Sequence, residues 1–112
     1  MIYLAITLLA LAAVLGLVIL LKWISKKDAP RAVVYSHGIV AATALGILVA
    51  YAFLHPDKFP TLTIVLLAAS ALVGFYMFFN DLKKKLSPLS VALVHALVAV
   101  SGFVTLLLFT FA

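Results

Sequence analysis

The stretch AVVYSHGIVAATALGILVAYAFL, residues 32–54, contains no aspartate, glutamate, lysine or arginine. A helix needs about 20 apolar residues to cross a hydrocarbon core of about 30 Å, and in lipid its backbone groups must be satisfied internally. Three other stretches read the same way: residues 2–23, 60–79 and 89–111. The chain therefore reads as an all-α membrane protein, a single transmembrane domain over residues 1–112 folded as an up-down-up-down bundle of four helices. The connections between the stretches are short, which makes sequential helices antiparallel. Pro30, Pro60 and Pro88 stand where a helix starts.

Composition excludes the soluble alternative. At 68% hydrophobic and 10% charged over 112 residues, with mean hydropathy +1.37, the apolar surface is too large for a small water-soluble core. There is no cysteine and no glutamate, and the three aspartates, Asp28, Asp57 and Asp81, fall between the apolar runs. The first stretch lacks a basic leading region and is long for a signal sequence, so it reads as a mature helix.

The net charge of +5 is unevenly placed. Lys22, Lys26, Lys27 and Arg31 mark the first connection and Lys83, Lys84 and Lys85 the third, whereas the second carries only Lys58. The positive-inside rule puts connections one and three in the cytoplasm and both termini on the other side, as in a bacterial inner membrane. Orientation accounts for the charge without a nucleic-acid partner.

Residues 1–54 laid over 59–112 without a gap are identical at 16 of 54 positions. About a tenth would match by composition, so the chain reads as two tandem helical-hairpin repeats, 1–54 and 59–112. The matches include Gly16 with Gly74, Lys26 with Lys84, Pro30 with Pro88, His37 with His95 and Ala41 with Ala99. Each repeat holds two crossings, so the pseudo-two-fold axis runs along the membrane normal and helices two and four occupy diagonal corners. With neighbouring axes about 8–10 Å apart, that diagonal is roughly 11–14 Å. Counting inward from the connections puts Gly16, His37, Gly74 and His95 at one level. Two inward imidazoles on diagonal helices are candidate ligands for one central group, and the glycines with Ala41 and Ala99 would leave room for a flat one.

This pattern resembles the membrane cytochromes b. The resemblance rests on YSHGIVAATALG at 35–46, LVHALVAVSGFV at 93–104 and the two glycines. It implies that His37 and His95 ligate the iron of one haem b per chain, with Gly16, Gly74, Ala41 and Ala99 against the ring and Lys26, Arg31 and Lys84 near its propionates. Phe75, Phe78 and Phe79 could pack on its edges. Family members commonly hold two haems; only one histidine pair exists here. The resemblance further implies electron transfer, with a quinone, superoxide or another redox protein as partner. Acceptors for the imidazole Nδ1–H groups are expected among carbonyls one turn earlier or the hydroxyls of Ser36, Thr43 and Ser101.

Other readings use the same residues differently. Transmembrane histidines also serve interhelical hydrogen bonding, in a structural assembly subunit, or a proton relay. A small multidrug transporter would need an intramembrane glutamate. Zinc or copper sites want more ligands than two histidines. His55 reads as an interfacial loop residue and Met77 as core packing rather than an axial ligand. No catalytic constellation is present, so any enzyme activity would be quinone-linked and fed from outside. A homodimer is compatible with the small-residue stripes.

Overall fold

The computed structural model describes residues 1–85 and 87–112. Its four long helices are α1 (Ile2–Ile24), α2 (Arg31–Leu54), α3 (Thr61–Leu82) and α4 (Leu89–Phe111), with one 3₁₀ turn at Pro56–Lys58 and no strand among the described residues. Each helix is long and apolar enough to cross a membrane, which makes the chain an integral membrane protein.

Three helices match the sequence reading to within one residue, whereas α3 runs past the expected end at Phe79 to Leu82. Asn80 and Asp81 are polar and read as connection. The helix nevertheless keeps them, and the extra turn carries Asp81 into an ion pair with Arg31, the first residue of α2. Pro30, Pro60 and Pro88 are the residues immediately before their helices. Their carbonyls accept the first helical N–H bonds: Pro30 from Val33 and Val34, Pro60 from Ile64, and Pro88 from Val91 and Ala92. A proline there gives up only an N–H that no helical carbonyl would have received.

The ends of α1 and α3 share one cap. The Lys26 N–H donates to the Trp23 carbonyl at 3.0 Å and the Lys27 N–H to the Lys22 carbonyl at 2.8 Å; Lys84 and Lys85 repeat this on Asp81 and Asn80 at 3.0 and 2.8 Å. Lys26 and Lys84 have φ of 58° and 57°. Glycine usually fills this left-handed position, since a Cβ costs roughly 1–2 kcal/mol there.

Helix α1 packs along α2 and α3 along α4. The two hairpins meet more sparingly, through α1 with α4 and α2 with α3, while α1/α3 and α2/α4 stand apart at diagonal corners. Tyr3 near the start of α1 packs on Phe111 at the end of α4, so neighbouring helices are antiparallel. The α1–α2 and α3–α4 connections therefore share one end, the loop end, and the termini share the other with the 3₁₀ turn.

Close packing is concentrated toward the terminal end. Ala5, Leu9, Ala44, Leu48, Leu67 and Leu106 form its core, with Leu48 and Leu106 fully enclosed. Gly102 lets α3 approach α4: a Cβ built there would lie 2.8 Å from Leu67 Cδ2. One further link is a hydroxyl pair, Thr63 Oγ1 to Thr105 Oγ1 at 2.8 Å. Lipid tails are as apolar as leucine, so tight contacts and such hydrogen bonds, rather than transfer from water, hold transmembrane helices together. Outward residues such as Leu72, Leu97 and Phe53 are correspondingly exposed, as side chains that face lipid must be.

A candidate histidine site in the bundle

His37 lies seven residues into α2 and His95 seven into α4, each turned toward the preceding helix of its own hairpin. The His37 Nδ1–H donates to the Ala12 carbonyl at 2.8 Å, and the His95 Nδ1–H donates to the Ser70 carbonyl at 2.8 Å. A carbonyl only accepts, so each Nδ1 carries a proton, and in the neutral form of either ring the lone pair is on Nε2. Neither Nε2 has a hydrogen-bond partner among the described residues, and neither is fully enclosed. The acceptors differ from those expected. The Thr43 and Ser101 hydroxyls are exposed and donate to Ile39 and Leu97 one turn back in their own helices, and Ser36 is exposed.

The glycines explain how the rings fit. A Cβ on Gly16 would lie 2.9 Å from His37 Cε1, and one on Gly74 would lie 3.1 Å from His95 Cε1. Each glycine follows the acceptor carbonyl by four residues, one helical turn, so one face of α1 or α3 supplies both the bond and the space. The room left at Gly16 and Gly74 is thus filled by the imidazoles themselves, a different use from the flat ring that the sequence suggested. Gly38 beside His37 is open: a Cβ there meets nothing within 4 Å.

Across the bundle the two imidazole centres are 6.3 Å apart and their planes are 83° from parallel. Two imidazoles sharing one metal ion on a straight line, each bonded at about 2.0 Å, have ring centres roughly 6 Å apart. The spacing of the ring centres matches that of such a pair, and the Nδ1 bonds leave Nε2 as the free nitrogen of each ring. No cluster of three or more histidine, aspartate, cysteine or glutamate side chains that could hold a metal occurs among the described residues. Among the described residues the pair has no third histidine, cysteine, aspartate or glutamate ligand, so a metal bound there would need its remaining donors from elsewhere.

The other residues singled out by the sequence divide in two. Ala41 and Ala99 lie one turn beyond the histidines and are half-buried. Lys26 and Lys84 are exposed at the loop end, and Arg31 is engaged with Asp81. Phe78 is half-buried with its ring edge-on to Tyr35 at 5.7 Å, whereas Phe75 and Phe79 are exposed. Met77 is buried on the face of α3 that carries Ser70 and Gly74, one turn nearer the loop end. His55 follows α2 at the opposite end, exposed and stacked on Tyr51 with ring centres 4.3 Å apart. Sequence reasoning missed Ala12 and Ser70 as acceptors, although a glycine at the next turn of each helix was the available signal.

The fold and this layer define a four-helix membrane-spanning bundle with a pair of histidines on diagonal helices whose ring centres are 6.3 Å apart. The chain matches no model of a known protein family, no curated protein and no solved structure.

Proposed function

We propose that the chain is a membrane b-type cytochrome in which His37 and His95 hold one haem b per chain for electron transfer. The observation that carries this reading is the histidine pair: ring centres 6.3 Å apart, and both Nδ1 protons committed to carbonyls so that both Nε2 lone pairs are available. Haem iron with imidazole on both sides takes up and returns one electron without a vacant position for oxygen. The chain's residues supply the rest. The Ala12 and Ser70 carbonyls orient the imidazoles and raise their basicity. Gly16 and Gly74 seat the rings, and Ala41 and Ala99 keep the next turn of α2 and α4 low. Lys26, Lys84 and Arg31 line the end where carboxylate substituents would need cations; Arg31 is shared with Asp81, which leaves the two lysines as the freer partners.

The same reading treats the hairpins as tandem repeats and puts the lysine-rich loop end in the cytoplasm, with the termini across a bacterial inner membrane. Its redox partner would be a quinone, superoxide or another protein. Two findings agree with the duplication: the left-handed caps at Lys26 and Lys84, and the acceptor pair Ala12 and Ser70, are each separated by the offset that relates His37 to His95.

A second reading draws on the same hydrogen bonds. Each Nδ1–H is satisfied inside its own hairpin, which is all that an assembly subunit would require of a structural histidine. An absorption spectrum of protein purified from haem-replete cells, oxidised and then dithionite-reduced, separates the two. Sharp low-spin haem b bands, lost in both His37→Ala and His95→Ala and kept in His55→Ala, are expected. A colourless protein would refute the cytochrome reading and favour the structural one.

A further inference from the structure

The two halves of the histidine layer correspond at nearly every group, and the exception has a chemical consequence. We infer that Ser70 makes the two imidazoles unequal, so that His95 is the firmly held ligand and His37 the one that gives up its place to an incoming small neutral ligand. The exchange rests on the haem reading; the inequality itself does not.

Both rings lie against a glycine and both Nδ1–H groups reach a carbonyl at 2.8 Å, so neither feature distinguishes them. The residue providing the carbonyl does. Ser70 is only 4% exposed, and its Oγ lies 3.1 Å from His95 Nδ1 and 3.3 Å from the His95 carbonyl oxygen. The hydroxyl donates its proton to that carbonyl, since Nδ1 already carries one, and offers a lone pair to the Nδ1–H as its second acceptor. Two acceptors on one N–H increase the donor strength of the opposite nitrogen. The serine also ties α3 to α4 at the histidine, where the low dielectric strengthens both bonds. Ala12 has no side-chain donor or acceptor, so His37 is held through one acceptor alone.

Among the described residues no other hydroxyl makes up the difference. Thr43, the hydroxyl nearest His37 on its inward side in sequence, bonds Ile39 in its own helix, and the Thr63–Thr105 pair joins α3 to α4 toward the terminal end. Were an iron held by the two histidines, His37, fixed through the Ala12 carbonyl alone, would be the donor displaced by a neutral ligand such as carbon monoxide. One neutral donor replaces another, and no electron or proton changes place.

The inequality is read first in the metal-free protein, by exchange of the two Nδ1–H protons in a histidine-labelled NMR experiment. The His95 proton should exchange more slowly than that of His37 by roughly fivefold, the factor one added hydrogen bond is worth. Ser70→Ala should remove the gap, Ser70→Thr retain it, and Ala12→Ser slow the His37 proton. Equal exchange in the unaltered protein, or no response to Ala12→Ser, would overturn the inequality; the latter variant decides if Ser70→Ala fails to fold. In the reduced, haem-loaded protein, carbon monoxide should bind more slowly in Ala12→Ser by a similar factor, and an unchanged rate would overturn the assignment of His37 as the exchangeable ligand. A colourless protein would refute the haem reading and with it the exchange, while the proton comparison would still decide the inequality.

Discussion

The terminal half of the bundle and the histidine layer are built from the same kinds of helix yet solve different problems. Toward the terminal end, leucines interlock with alanine and glycine, and Leu48 and Leu106 are fully enclosed. In the histidine layer both rings are only half-buried, and backbone carbonyls rather than side-chain packing fix them. Lipid cannot drive helices together as water does, so the interlocked half is where cohesion resides. The polar layer is held instead by local bonds within each hairpin.

That contrast can be broken from either side. Leu106→Ala should cause the largest loss of stability, about 2–3 kcal/mol, because removing a fully enclosed side chain leaves a cavity; Val33→Ala, half-buried toward the loop end, should cost under about 1 kcal/mol. Reversible unfolding in mixed micelles measures both. Equal losses would mean that cohesion is spread evenly along the bundle.

Next come the glycines. Gly16→Ala and Gly74→Ala should each cost about 1–2 kcal/mol, since the new methyl would meet an imidazole at 2.9 or 3.1 Å and push it off its carbonyl. Both should also lose any low-spin haem signal. Gly38→Ala, which meets nothing within 4 Å, should change neither stability nor spectrum measurably. Thr63→Val should cost about 0.6 kcal/mol, the usual worth of an interhelical hydrogen bond in a membrane, and leave the histidines untouched. The smallest effect has the opposite sign. Lys26→Gly or Lys84→Gly should gain a few tenths of a kcal/mol, relief of the left-handed cap being largely offset by the greater freedom of glycine in the unfolded chain.

The spans were legible because length and hydropathy alone decide them in a bilayer. The end of α3 was not, because Asn80 and Asp81 look like a connection until Arg31 is seen beside them. The closeness of His37 to His95 was legible from their equal count of residues from the connections and their matching positions in the two halves of the sequence. What held each ring was hidden, since the acceptors common to both are the main-chain carbonyls of Ala12 and Ser70, and main-chain groups leave no mark in residue identity. Gly16 and Gly74 were legible as places where space is needed, but not that the imidazoles of His37 and His95 lie against them. The caps at Lys26 and Lys84 were equally hidden, because lysine carries no preference for a left-handed backbone.

The central claim is that His37 and His95 share one iron with their planes nearly perpendicular. Electron paramagnetic resonance of the oxidised protein tests it most directly, because mutually perpendicular axial imidazoles give a strongly anisotropic low-spin ferric signal and parallel ones a rhombic signal. With the planes 83° apart, the strongly anisotropic signal is expected, at one haem per chain, and it should vanish in either histidine-to-alanine variant. A rhombic low-spin signal, a signal that survives loss of either histidine, or the absence of any haem signal would contradict the account.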